Sequence, residues 1–248
     1  MTTFERVALV TGAAQGIGKA IAESLAARGA TVALADIDFE KASQVSESIN
    51  NDGGKARAYH VDVADRETVT ELVAAVTRDF RSIDALVNNG GLDAQPGRAL
   101  EIDTAHWNRL IDIDLTGQWW CTQAVLPGMV ERNYGRIVYV SSSSVYIGGQ
   151  NISPAYCAAK SALIGLTVAL ATQMEQHNIL VNCLMPGPTG NTGTPMDPSD
   201  VPAYLQNHPL GFGGPQPLVD ATHYLLDSSG DWVSGAILNV SGGRLRGR

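Results

Sequence analysis

The sequence predicts an α/β protein, a single domain over 1–248 built on a doubly wound, Rossmann-type parallel sheet of about seven strands with helices on both faces. Three observations predict it. Short apolar runs alternate with helical stretches almost to the C-terminus, the pattern of a parallel sheet covered on both sides. Glycines 12, 16 and 18 fall between the first apolar run and the first helix, where a tight turn is required. No linker, tandem repeat or low-complexity tract divides the 248 residues, and a hydrophobic content of 44% is ample for a buried core.

Residues 7–10 are the first strand, followed by the glycine turn and a helix over 19–28 that Gly29 is placed to end. A β-rich run over 31–35 closes on Asp36. The helix over 39–50 stops at Asn51-Asp52-Gly53-Gly54, a turn sequence. Strand three covers 56–61 and ends at Asp62, and a helix follows over 66–80. Strand four, 85–87, ends in Asn88-Asn89-Gly90-Gly91. One long helix is predicted over 105–132, with Pro127 in its later part. Strand five, 136–140, runs into four serines, Ser141 to Ser144. A helix spans 156–176, strand six 179–184, and the last strand 236–240. The strands are read as fully apolar. Segment 186–217, rich in Gly, Pro, Asn and Thr, carries no predicted element. A loop of that length is usually functional or disordered, and a substrate lid is expected over 188–216.

The net charge of −8 argues against nucleic acid, whose affinity comes largely from Lys and Arg on phosphates. Cys121, Cys157 and Cys183 are odd in number and widely spaced, and neither they nor the five histidines have metal-ligand spacing. His106, His177 and His208 are read as surface or packing residues, and no metal is expected. Reduced thiols and a cytoplasmic location are expected. Met1-Thr2-Thr3-Phe4-Glu5-Arg6 lacks the regions of a signal peptide. The longest apolar stretch, 162–171, is half the length a membrane span needs, and its polar flanks mark a buried helix, so no membrane partner is expected.

The glycine turn has separable tasks: Gly12 permits the turn, Gly16 lets backbone approach a pyrophosphate, and Gly18 lets the helix pack close to the sheet. Gln15, Gly16, Ile17 and Gly18 then present helix N-terminal amides to phosphate. By itself such a cluster is often only a tight turn, but here it follows a strand and opens a helix. Asp36, with Ile37 after it, ends strand two, where a carboxylate accepts from ribose hydroxyls and repels a 2′-phosphate. With no Lys or Arg beside it, NAD is favoured over NADP. A strand-end Asp that merely starts a turn is the competing reading. Asp62 and Val63 end strand three near the expected adenine site. Asn89 and Gly90 end strand four, where glycine lets the backbone skirt the cofactor. Tyr156 and Lys160 are four apart and share a helix face. One element can hold a dinucleotide and the other a proton donor beside it, which together point to hydride chemistry at a nicotinamide.

These pieces resemble the short-chain dehydrogenase/reductase family over nearly the full length. They are 11–18 (TGAAQGIG), Asp36, Asp62-Val63, 88–91 (NNGG), 135–138 (GRIV) with its serines, Tyr156 and Lys160, Val181-Asn182, Pro186-Gly187, and 235–243. The resemblance implies that Tyr156 is the general acid/base on the substrate oxygen. A free Tyr titrates near ~10, and Lys160 with the nicotinamide cation would favour the phenolate by charge. Lys160 would also bond the nicotinamide ribose. A serine would bond the same substrate oxygen. Counting along strand five from Gly135 gives Ser142, and counting back from Tyr156 gives Ser143. The strand count is followed because loop length is the freer variable, and Ser143 stays as the alternative. Pro186 and Gly187 would break strand six, and Thr189 would meet the carboxamide. Thr192 and Thr194 compete for a later family threonine.

The chain departs from the family at one point. Residues 107–117 (WNRLIDIDLTG) are similar to the family stretch whose Asn helps hold a relay water, and Asp114 occupies the Asn position. Asp114 can accept from water but cannot donate as an amide does. It is expected to serve as a relay acceptor, to stabilise Lys160 as ammonium, and to oppose a Tyr156 phenolate.

By the same resemblance the substrate pocket draws on Leu92-Asp93, Ser144, Tyr146, Ile147 and Gln150 in the 144–150 loop, Pro188, Met196 and Tyr204. The partner is a small alcohol or ketone, alicyclic or aromatic. The tail 244–248 (RLRGR) either reaches a neighbouring subunit's pocket or frays in solvent. Trp107, Trp119 and Trp120 lie on the long helix, which with the Tyr156 helix suggests a homotetramer or homodimer. The leading expectation is an NAD-dependent short-chain alcohol dehydrogenase or ketone reductase. The alternatives are an NADPH-dependent carbonyl reductase and a nucleotide-binding protein whose turnover Asp114 has impaired.

Overall fold

The strands line up in the order β3-β2-β1-β4-β5-β6-β7, all parallel. They are β1 (Val7–Thr11), β2 (Thr31–Asp36), β3 (Lys55–His60), β4 (Ala85–Asn88), β5 (Gly135–Val140), β6 (Ile179–Pro186) and β7 (Ile237–Val240). The computed structural model describes residues 6–94, 96–190, 197–208 and 210–246, with the side chain of Asn207 excepted. Parallel strands need crossover connections, and helices supply them: α1 (Gly16–Ala27), α2 (Phe39–Asn51), α3 (Arg66–Phe80), α4 (Thr104–Ile111), α5 (Gly117–Arg132), the short α6 (Ser144–Ile147), α7 (Pro154–Met174), α8 (Val201–Asn207) and α9 (Gln216–Leu226). The strand order reverses between β1 and β4, which opens a crevice at the carboxyl ends of those strands.

Side chains alternate across each strand, so the sheet feeds two cores. Leu9, Leu86, Ile137, Tyr139 and Val181 meet Leu72 of α3, Met129 of α5 and Leu163 of α7 on one face. Ala8, Val10, Leu34, Val87 and Leu184 meet Leu25 of α1, Ile49 of α2 and Leu225 of α9 on the other. Strands β1, β4, β5 and β6 are buried along their whole length. Strand β3 does not fit the fully apolar expectation. It is the sheet edge, and Lys55, Arg57 and His60 reach toward solvent while Tyr59 turns inward. Sequence caps are used as their chemistry dictates: Asp38, Asp65 and Asp103 accept backbone N–H groups at the starts of α2, α3 and α4.

Three expectations need correction. The helix predicted over 105–132 is broken. A π turn, Asp112–Thr116, separates α4 from α5, and the Gly117 N–H bonds the Asp112 carbonyl five residues back. The wider turn carries one residue more than α-helical pitch accommodates. Gly117 is required there, because a Cβ would run into the Val63 carbonyl after β3. Segment 186–217 is not featureless, since β6 extends to Pro186, α8 lies within it and α9 begins at Gln216. Pro217 sits in the first turn of α9, where the missing N–H costs nothing. Residues 144–147 form α6 rather than loop.

Helix α7 extends well beyond its ten-residue apolar stretch. The helix Pro154–His177 is long and apolar enough to cross a membrane by length and composition. In this fold it packs along β6 and buries Tyr156, Lys160, Leu163, Thr167 and Leu170. Leu163 is fully buried at the centre of that contact. Leu163→Ala is expected to cost about 2–5 kcal/mol, read as a lower denaturant midpoint with an unchanged slope. A midpoint unaltered by the substitution would contradict the packing described.

Candidate active site

The crevice is closed at its floor by a hydrogen-bonded stitch between β1 and β4. The Thr11 hydroxyl donates to the Val87 carbonyl (3.4 Å) and accepts the N–H groups of Asn89 (3.1 Å) and Gly90 (2.8 Å). The Asn89 amide donates to the carbonyls of Thr11 and Gly12, both at 3.1 Å. Gly12 has φ +63°, and a Cβ on it would lie 2.8 Å from the Gly90 Cα. Gly18 is equally confined, by the Gly12 carbonyl. Helix α1 starts at Gly16 with no side-chain cap from Gln15, so its first-turn amides keep their donors for an anion. Gln15 is exposed and Ile17 partly so.

Asp36 braces the same loop. One carboxylate oxygen accepts the Ala14 N–H (2.9 Å) and the other the Asp38 N–H (3.0 Å). Each oxygen keeps a further lone pair. Ile37 beside it is 64% exposed. The nearby cation, Lys41, is taken up by Asp38 at 2.6 Å. Asp62 accepts the Ala64 N–H (2.9 Å) and holds the turn after β3, with Val63 packed on Gly117. Gly187, following Pro186, lies against the Ser241 backbone, where a Cβ would come within 2.8 Å of the Ser241 Cα. Gly16 and Thr189 line one open pocket with Lys19, Gly190 and Phe212. The shape, free amides and acidic brace fit a dinucleotide.

At the carboxyl ends of β4 and β5, α7 delivers two buried side chains. The Ser142 side chain faces the Tyr156 hydroxyl closely enough to pull the phenol pKa down. The Ser142 Oγ in turn accepts the Ser144 N–H at 3.2 Å. One turn on, the Lys160 ammonium donates to the Val140 carbonyl (3.2 Å), lies 5.9 Å from the Tyr156 ring centre and 3.5 Å from Asp114 Oδ1. The other serines have structural bonds. Ser141 donates to the Lys160 carbonyl (2.8 Å), and the Ser143 N–H donates to the Pro186 carbonyl (2.8 Å). Of the four serines, Ser142 is the one whose side chain acts on the Tyr156 phenol.

Asp114 sits on the π turn and is fully buried. Its Oδ1 accepts the Leu92 N–H at 2.8 Å, while Oδ2 has no partner. Burial pushes this carboxyl above the usual carboxylate range, although Lys160 and the Leu92 N–H pull it down. For Lys160, burial opposes the ammonium, but the charges of Asp114 and Tyr156 outweigh it and hold it above its ordinary value. Burial also raises the Tyr156 phenol. Lys160 and Ser142 lower it, and Asp114 and Asp93 raise it.

Of the expected substrate residues, Ser144 is buried beside Ser142, while Tyr146, Ile147 and Gln150 are exposed on the rim. Met196, Thr192 and Thr194 lie outside the described residues. Of the tail, Arg244 lies beside Tyr204 of α8, and Leu245 is tied to Ser241 and Asn239. Trp119 and Trp120 are partly buried against the core, and Trp107 is more exposed.

The sequence reads Gly91 only as backbone skirting the cofactor, and it does not single out Gln118. Gly91 leaves room for the ion pair, because a Cβ there would strike Asp114 Oδ1 and lie 3.1 Å from Lys160 Nζ. Gln118 reaches back from α5 to donate to the Gly90 carbonyl (3.2 Å). The second could have been found as a polar residue one helical turn after Asp114, on the same helix face.

A parallel sheet with a glycine cradle at its switch point and a Ser-Tyr-Lys cluster above it defines a nucleotide-dependent oxidoreductase scaffold. Residues 6–202 match the family model for short chain dehydrogenases, and the chain belongs to that family, whose members use NAD or NADP. Two relatives match over 96% of this chain and 96% of their own. One is a cis-4-hydroxycyclohexanecarboxylate dehydrogenase of Sinomonas cyclohexanicum, 38% identical. The other is the (2S)-[(R)-hydroxy(phenyl)methyl]succinyl-CoA dehydrogenase subunit BbsD of Thauera aromatica, 35% identical. The crystal structure of levodione reductase superposes with a TM-score of 0.90 at 27% identity, covering 98% of each chain.

A carboxyl held above its unfolded value contributes stability that is full below about pH 4 and is lost as pH rises through the folded value. Asp114→Asn has no such loss. Its melting temperature relative to wild type is therefore expected to climb as pH rises above about 4, through the raised folded value, measured by scanning fluorimetry without nucleotide. A constant offset across that range would mean that Asp114 titrates as an ordinary carboxylate.

Proposed function

We propose that this protein is an NAD-dependent dehydrogenase/reductase acting on a small secondary alcohol or its ketone, with an alicyclic or aromatic frame. The observation that carries the reading is the buried Tyr156 side chain, faced by Ser142 and with the Lys160 ammonium 5.9 Å from its ring centre. The alicyclic preference rests on the likeness to the cis-4-hydroxycyclohexanecarboxylate dehydrogenase.

A nicotinamide dinucleotide would be held by the first-turn amides of α1, by the glycine backbone at 12, 16 and 90, and by Asp36 at the ribose hydroxyls. Bound there, it accepts or supplies the hydride. The chain's own residues handle the proton. Tyr156 Oη takes the hydroxyl proton during alcohol oxidation and returns one to the carbonyl oxygen during reduction. Ser142 hydrogen-bonds the same substrate oxygen and fixes its distance from Tyr156. The Lys160 charge favours the phenolate when it forms. The Asp36 carboxylate would repel a 2′-phosphate, and Lys41 beside it is held by Asp38, which favours NAD.

Tyr156→Phe is expected to bind NAD as wild type does and to lose roughly 10²–10⁴-fold in kcat, followed by absorbance of the reduced nicotinamide over a panel of cyclic alcohols. Equal turnover by the variant would refute the role of Tyr156. Fluorescence titration should find NADH bound more tightly than NADPH, and Asp36→Asn should narrow that ratio by roughly tenfold. Tighter NADPH binding by wild type would reverse the cofactor assignment.

A further inference from the structure

The π turn, Gly91 and α7 converge on one buried contact. Asp114 Oδ1 lies 3.5 Å from Lys160 Nζ, both side chains are almost wholly buried, and Gly91 is bare where any Cβ would separate them. The charged and titratable groups facing this contact are Tyr156 and Lys160 on α7, Asp93 after β4 and Cys183 on β6. Lys160 is the cation available to stabilise a Tyr156 phenolate. In this chain it is already paired with a carboxylate whose second oxygen, Oδ2, is buried and without a partner.

We propose that Asp114 is a positioning residue that, by engaging Lys160, keeps the Tyr156 phenol protonated across neutral pH and so biases the site toward proton donation, the half-reaction of ketone reduction. This rests on the oxidoreductase reading above and adds a working direction to it. The bias is kinetic and leaves the overall equilibrium untouched. With Asp114 ionised, two negative charges would have to share one ammonium for the phenolate to form. Alcohol oxidation, which needs the phenolate, is therefore displaced to higher pH. Ketone reduction, which needs the phenol, is retained to higher pH by the same amount. The raised Tyr156 phenol, with Asp114 among the groups that raise it, agrees with this arrangement.

The test is a spectrophotometric phenolate titration of the nucleotide-free protein, with the Tyr156→Phe curve subtracted to isolate one tyrosine. Asp114→Asn keeps the side-chain shape, and Asp114→Ala guards against a peculiarity of the amide. In both, the Tyr156 phenolate is expected at lower pH than in wild type. The rising limb of oxidation and the falling limb of reduction should move to lower pH with it. Coincident phenolate curves, or a shift to higher pH in the variants, overturn the proposal. The titration needs neither nucleotide nor substrate. A shifted phenolate curve supports the proton bias even if no cyclic alcohol is turned over, and that second result would count only against the dehydrogenase reading.

Discussion

The bond set from Thr11 and Gly12 to Asn89 and Gly90 is the constraint on which the site depends. Parallel strands β1 and β4 are neighbours in the sheet but their chains leave in opposite senses, which would leave their ends free to splay. One hydroxyl and one amide hold them together instead. The bonds fix the glycine loop below α1 and the 90–92 backbone beside α7 at once. Any shift of one would carry the other, so the nucleotide cradle and the proton-handling cluster form one rigid unit.

Most of this was legible from the residues because it is local. A glycine that must adopt positive φ, as at 12 and 16, announces a turn whatever surrounds it. A Tyr and a Lys four apart fall on one face of any helix. The strand count along 135–142 points to Ser142, the serine whose side chain acts on the Tyr156 phenol, because strand geometry is stiff while the loop before α7 is not. Failures came where tertiary context decides. Nothing in the periodicity of 105–132 marks a π turn. The turn is stabilised by what Asp114 and Gly117 meet in other segments, the 91–92 backbone and the Val63 carbonyl. Helix α9 was missed because Pro215 and Pro217 were read as loop, although prolines in a first helical turn signal a start. Strand β3 was read as buried because a sequence does not say which strand lies at an edge.

The site is also a case of competing electrostatic demands. Burial raises the cost of every charge in the cluster, and a phenolate, an ammonium and a carboxylate cannot all be satisfied by one another. The fold resolves this with neutral donors. Val140 and Leu92 offer a carbonyl and an amide of fixed direction, and Ser142 offers a neutral hydroxyl facing the phenol. The orphaned Oδ2 of Asp114 is the residue of that compromise.

The π turn makes this stretch intolerant of length change in a way that surface loops are not. Deleting one residue from Asp112–Thr116 would restore ordinary helical pitch. Helices α4 and α5 would keep their mutual orientation, but the bulge that carries Asp114 toward Lys160 would be gone, and the carboxylate would be drawn away from the ammonium. Insertions and deletions here would therefore act as switches of active-site charge, and a homologous chain one residue shorter at this point would have a differently wired centre even with every neighbouring residue the same.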